Sequence, residues 1–452
     1  MGEKLLIGML VISTLTGIFA GPFLWRKTTN PQKQVQNEKQ MEKVTQKEEK
    51  QEERTDFSEI RVLISGQTLG KYIHKYLTIT SSEPYYVNIN GKIKKKKALE
   101  KTKLVFNRKK TGQTVVFSGT GKLKILSFKR AYGYPSYRGR LEVQYRKSGM
   151  TLVNQLLLEE YLYAVLPSEM PVSYGLEALK VQAVCARSFA VKQMKGEKFA
   201  SYDADVDDSV SSQVYNNSEE CKESIQAVID TAGQVMTYKG KTILTYFFST
   251  SWGHTADSSD VWIKDEASPV YLTGRLQNES EKILNLSTDE KLEQFLKSDL
   301  ITYDSSFPWY RWKVTISFKD LNAGSIGQVQ NVQVVKRGKS GVAKKIRITG
   351  SRGVKEIWGE YEIRSFLSPR NSKIIRKDGS IVKHVALLPS GCFLIKKQKN
   401  GIEITGGGYG HGVGMSQNGV KYMTEAGKTY EEVLKHYYPQ AQLKTLWENR
   451  KE

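Results

Sequence analysis

Residues 175–194 read GLEALKVQAVCARSFAVKQM, and Leu176, Leu179, Ala183, Ala186 and Ala190 recur there every three or four positions. That spacing is the period of an α-helix. The segments before it carry the other period. IRVLISG (60–66), KYLTIT (75–80), YYVNINGKI (85–93), TVVFSG (114–119), KLKILSF (122–128) and YRGRLEVQY (137–145) are short β-branched and aromatic runs set between Gly, Asn, Ser and Lys. Such runs read as strands. From Trp309 to about Ile404 the chain is β-rich again. One long helix between two strand-rich regions sets the class as α+β, with β-rich regions flanking a helical segment. No internal repeat is visible.

Smaller elements fill in this outline. LLLEEYLYAVL (156–166), SIQAVIDTA (224–232) and DEKLEQFLKS (289–298) read as short helices, and KTILTYFFST (241–250) as a strand. Near the end a glycine-rich loop leads into two helices. Gly427 ends the first; Thr429 and Glu432 form a capping box for the second, which stops before Pro439. KIKKKK (92–97) suits a strand edge that must not pair further, or a solvated hairpin tip.

The chain begins differently. Leu5 to Trp25 is an uncharged, mostly apolar run of 21 residues, long enough to span a bilayer. It reads as a transmembrane signal anchor, with a signal peptide cut after Ala20 as the rival. Either way the remainder is exported, to the outer side of the cell membrane. Residues 28–57 are Gln, Lys and Glu with almost nothing apolar, and read as a disordered charged tether. The expected layout is therefore an anchor (1–27), a tether (28–57) and one folded region (58–445). That region divides into a β-rich part (58–152), the helical segment plus a strand (153–277), a second β-rich part (278–405), and the glycine-rich loop with its helices (406–445).

The formal net charge is +22, and the tether nearly cancels its own charges. The folded part is thus basic and favours an anionic partner. For an exported chain that argues against nucleic acid. Cys185, Cys221 and Cys392 are far apart and form no C-x-x-C, so they signal neither a disulfide framework nor a zinc cage.

Two stretches carry chemistry. In PSEMP (167–171), Glu169 stands between Pro167 and Pro171, ahead of the long helix. Prolines on both sides restrict the turn, as a catalytic acid requires; a glutamate that merely caps the helix has the same pattern. If Glu169 lies at the N-terminus of that helix, with Ser173 as cap, the dipole lowers its pKa. Burial would have to overcome that for a general acid. Along the helix, Lys180 and Arg187 are seven residues apart and share a face. Gln182 lies roughly 160° from Arg187 on an ideal helix. The second stretch is GGGYGHGVGMSQ (406–417). It fits neither a dinucleotide fingerprint nor a phosphate loop, and GMSQN fails the serine-hydrolase elbow at its last position. What remains is a tight loop carrying His411, Ser416 and Gln417.

YRGRLEV (137–143), EEYLYAVLPSEMPVSYGLEALKVQAVCARSFAV (159–191), FFSTSWGHTADSSDVW (247–262), GYGHGVGMSQNGVKYM (408–423) and YEEVLKHYYPQAQL (430–443) together resemble the stage II sporulation protein D family, which also includes amidase-enhancer proteins. The resemblance implies an exported peptidoglycan lytic transglycosylase of sporulation and engulfment that prefers denuded glycan strands and works beside a cell-wall amidase. It implies Glu169 as the catalytic residue and functional importance for Lys180, Gln182 and Arg187. Ser251 in the middle motif, with His411, Ser416 and Gln417, completes the expected substrate-binding set. The geometry suggests that Gln182 supports the site from behind. A non-catalytic, wall-binding activator of an amidase is the alternative. Two departures stand out. Trp252 occupies a position where the family often has glycine, and it either stacks on a sugar or packs. Some members hold zinc through Cys and His, but DDSVSSQVYNN (207–217) has neither, so no metal and no cofactor are expected.

Overall fold

The computed structural model describes residues 57–262 and 267–446. The anchor at 5–25 and the tether up to residue 56 lie outside the described residues, within which no helix is long and apolar enough to cross a membrane. The class is α+β, with two large hydrophobic cores and a third cluster of four buried residues among the described residues.

The first core begins with a seven-stranded sheet ordered Val206–Asp207, Glu59–Ile64, Gly149–Leu157, Arg140–Arg146, Thr114–Gly119, Tyr85–Ile89, Lys92–Lys96. The lysine-rich strand Lys92–Lys96 is an edge, as its composition requires, because neighbouring ammonium groups repel further pairing. The hairpin feeding it turns at Asn90–Gly91, both at positive φ, the conformation of a tight two-residue β-turn. A second sheet, Thr102–Val105, Tyr76–Ser81, Leu123–Ile125 and Ser136–Tyr137, completes the strand-rich part.

The long helix, Leu176–Met194, is the hub of this core. It packs on the helices Leu158–Glu169, Lys222–Asp230, Gln417–Glu425 and Tyr430–Tyr437 and on the strand Gln234–Tyr238. A helix surrounded on all sides needs small or apolar residues all round, and here Ala178, Val181, Ala183, Val184, Cys185, Ala186 and Ala190 are all buried. The periodic stripe in the sequence is only part of what the helix buries.

The second core lies between a five-stranded sheet, ordered Ile381–Lys383, Lys373–Arg376, Trp312–Ser317, Gly401–Gly406, Phe393–Gln398, and a three-stranded one, Val329–Arg337, Ala343–Gly350, Gly353–Trp358. The expected strand at 241–250 survives only as Lys241–Thr242 and Phe247–Phe248. The second piece pairs in parallel with Met415–Ser416, which sews the middle motif to the glycine-rich loop. At the C-terminus the capping box forms as its sequence requires, with Thr429 and Glu432 exchanging side-chain bonds to backbone N–H groups.

Candidate active site

Glu169 is the last residue of the helix Leu158–Glu169, not the first turn of the long one. Both prolines have a visible effect. Pro171 forbids helical geometry at Met170, which is extended (φ −129°, ψ 135°), so the helix stops at Glu169. Pro167 sits inside the helix and cannot donate to the carbonyl of Tyr163. That carbonyl accepts instead from the Ser224 hydroxyl at 3.0 Å. Ser173 caps nothing; it lies in a 3-10 turn, and Gly175 at φ 92° precedes the long helix.

This placement reverses one electrostatic expectation. At the carboxyl end of a helix the dipole opposes a negative charge, so it acts in the same direction as burial. Glu169 is only 7% exposed. Burial pushes its pKa up to about 8, against one opposing contact, the Val214 N–H donating to Oε1 at 2.6 Å. At neutral pH the side chain is therefore a carboxylic acid with a proton to give.

The loop 207–218 holds that acid in place. Besides Val214, Asn216 N–H donates to the Ala164 carbonyl (3.3 Å), and the N–H groups of Asn217 and Ser218 both reach the Ser168 hydroxyl (3.1 and 3.0 Å). The loop is anchored in turn by buried carboxylates. Asp208 pairs with Arg130 at 2.8 Å and accepts from Ser65, and Asp207 accepts from Tyr72 and Ser209. The loop's acids are bound to protein donors, and no group of three or more Cys, His, Asp or Glu among the described residues is arranged to hold a metal.

Gln417 connects the glycine-rich loop to Glu169. It opens the helix Gln417–Glu425, and its Nε2 donates to the Glu169 carbonyl (3.1 Å) and to Gln182 Oε1 (3.3 Å). Gln182 and Gln417 thus brace the end of the carboxylate helix. Gln182 Nε2 and Gln213 Nε2 are enclosed donors with no protein acceptor among the described residues. Enclosed donors of this kind are places where an ordered water or a ligand oxygen is expected.

Five other expected binding residues stand elsewhere. Arg187 is fully buried on the opposite face of the long helix. Its guanidinium donates to Glu159 (2.6 and 2.8 Å) and to the carbonyls of Gln234 and Val228. No surface is left for a ligand, so its role is to hold helices together. Arg187→Ala is expected to cost about 3 kcal/mol of unfolding free energy, because it strands Glu159 and two carbonyls. Arg187→Lys should recover only part of that, since one ammonium cannot reproduce the fork. Thermal unfolding of the three chains is the check. Lys180 keeps some exposure, and its ammonium is committed to Glu177 (2.9 Å) and Asp230 (3.3 Å).

Ser251 and Ser416 are both fully buried, and both hydroxyls are committed to Asp304 (2.7 and 2.5 Å). They form a clip between the middle motif and the glycine-rich loop rather than a surface for glycan. Asp304, with burial raising its pKa to about 6, is the partner that sequence reading missed; nothing in ITYDSSF marks it. His411 sits among the rings of Tyr246, Phe248 and Trp262, and burial pushes its pKa down to about 3, so it is neutral. Its Nδ1 accepts from Val413 N–H, not from Ser416, which removes the serine-hydrolase arrangement.

Trp252 packs. It is fully buried, and the glycine-rich loop wraps it closely. A Cβ at Gly412, where φ is +82°, would lie 2.4 Å from the indole Cη2. One at Gly408, also at φ +82°, would lie 3.0 Å from Cε3. The glycines of this loop make room for the bulky residue that replaces glycine in the middle motif.

The fold and site thus define an α+β protein with one enclosed, protonated glutamate braced by a glycine-rich loop. A family model described as Stage II sporulation protein matches residues 146–238, which include Glu169, Gln182 and Val214; a second, described as Domain of unknown function (DUF8618), matches 256–414. Stage II sporulation protein D of Bacillus subtilis is 30% identical over 313 residues, 66% of this chain and 77% of that protein. The Amidase enhancer of the same organism is 30% identical over 62% of this chain, but the match spans only 39% of that protein. An uncharacterized protein of Brachyspira hyodysenteriae is 34% identical over 64% of this chain and 67% of its own length. The chain belongs to the stage II sporulation protein D family.

Proposed function

We propose that this protein is a peptidoglycan lytic transglycosylase in which Glu169 is the single catalytic carboxyl. The observation that carries the reading is the enclosed acid with its pKa raised to about 8. Ordinary glycosidases place two carboxyl groups around the scissile bond. A transglycosylase that closes an anhydro ring needs one. The Glu169 proton passes to the glycosidic oxygen as the bond from C1 of N-acetylmuramic acid breaks, which frees the 4-hydroxyl of the departing sugar. The C6 hydroxyl oxygen of the muramic residue then bonds to C1, and its proton returns to the Glu169 carboxylate. No water is consumed, and the acid is regenerated for the next cleavage.

Val214 N–H steadies the carboxylate formed in mid-reaction, while Gln182 and Gln417 act as positioning residues through the Glu169 backbone. The net charge of +22 suits denuded strands, whose lactyl carboxylates are free. The same reading places the folded part outside the cytoplasm, tethered to the cell membrane through residues 5–25. It gives the protein a wall-remodelling role in sporulation and engulfment, alongside a cell-wall amidase.

Digestion of purified denuded glycan tests the proposal. Wild-type protein is expected to release products ending in 1,6-anhydro-N-acetylmuramic acid, and Glu169→Gln is expected to release about 10²- to 10⁴-fold less. Absence of such products from both would favour the non-catalytic amidase activator that one relative's name suggests.

A further inference from the structure

A cleft of about 330 Å3 opens on the outer face of the five-stranded sheet, beneath the helix Asp289–Lys297. Leu296 of the helix and Ile375 and Leu394 of the sheet give it an apolar floor, continued by one edge of Trp312. Register explains the floor. Leu394, Thr405, Lys313 and Ile375 stand opposite one another on adjacent strands, so their side chains share the outward face.

The rim is cationic, and Arg311, Lys313, Arg376 and Lys377 form no ion pair among the described residues. Arg311 donates to the carbonyls of Leu296, Trp252 and Tyr310; Arg376 donates to the Ser380 hydroxyl; Lys377 donates to the Ser305 carbonyl. All of these acceptors are neutral oxygens, so each bond fixes a cation in position and leaves its charge intact. Lys313 is exposed on the central strand. Glu293, the only carboxylate lining the cleft among the described residues, is already paired with Lys297 at 2.6 Å. Four cations thus surround an apolar recess; among the described residues none of them is ion-paired, and Asp378 acts on Arg376 only through space.

We propose that this cleft docks an acidic segment of a partner protein, with its apolar side chains on the floor and its carboxylates against Arg311, Lys313, Arg376 and Lys377. Charge complementarity selects an anion. The floor selects a peptide over a phosphate polymer or a glycan, whose hydroxyls and phosphates would cover apolar side chains without filling them. The recess under the helix is also too narrow for a flat lipid surface. The proposal is independent of the transglycosylase reading, and glycan cleavage does not report on it.

The test is fluorescence anisotropy of a labelled twelve-residue peptide alternating Asp or Glu with Leu or Phe, added to the whole folded chain. Binding is expected, weakening as salt rises, and falling about tenfold in Lys313→Glu/Lys377→Glu, two exposed positions whose reversal leaves the melting temperature unchanged. Ile375→Ser should weaken binding by removing floor contact, with no change in salt dependence. Three results overturn the proposal: no binding of this peptide, equal binding by the charge-reversed chain, or displacement of the peptide by poly(glycerol phosphate) or phosphatidylglycerol vesicles at equal charge concentration.

Discussion

Glutamine at position 169 is expected to lower glycan cleavage by about 10²- to 10⁴-fold while making the protein more stable in alkaline solution. The two effects have one cause. The amide keeps the shape of the protonated acid and still accepts from Val214 N–H, but has no proton to give. The stability effect follows from linkage. With a folded pKa near 8 and an ordinary value of 4.5, the folded chain holds a proton that the unfolded chain has lost throughout that interval. Stability of the wild type therefore falls as pH rises from about 4.5 to about 8. The Gln variant escapes that loss. Its advantage should be absent in acid and approach about 5 kcal/mol well above pH 8. Chemical unfolding of both chains across this range is the check, and an equal dependence on pH would mean that the carboxyl is not held neutral. Wild-type cleavage should also decline above about pH 8 as the acid form is lost.

Gly412→Ala is expected to destabilise the protein by about 2–4 kcal/mol. A methyl group there meets the Trp252 ring at 2.4 Å, and φ of +82° adds the left-handed penalty of a residue with a Cβ. In a Trp252→Gly background the steric part disappears, and the added cost of Gly412→Ala should fall to about 1 kcal/mol, the backbone part alone. Urea unfolding of the four chains in this cycle measures the coupling. If Gly412→Ala costs the same with and without the indole, the loop is not shaped around Trp252.

Much of this could be read from residues in sequence. The periods of 60–145 and 175–194 gave strands and a long helix where the structure has them, because both signals are local. Pro171 marks a helix boundary, yet it marks the end of one helix as readily as the start of the next. That ambiguity put Glu169 at the wrong pole of a dipole. Arg187 and Ser251 looked like surface chemistry because charged and hydroxylic residues usually are exposed. Their burial depends on Glu159 and Asp304, 28 and 53 residues away, which local pattern does not reveal. The contact that most affects the acid comes from a backbone N–H, at Val214, and no side-chain identity encodes it. Trp252 was legible only as a departure. Its packing required knowing that Gly408 and Gly412 fold over it.

The central claim is that Glu169 is a neutral acid at physiological pH, and titration of its own carboxyl carbon tests it most directly. Carbon-13 labelling of glutamate side chains, with Glu169→Gln to assign the resonance, gives that curve in the full chain. A midpoint near 8 is the expected result. A midpoint near 4.5 would contradict the account, since a carboxylate already ionised at neutral pH has no proton to deliver to a glycosidic oxygen.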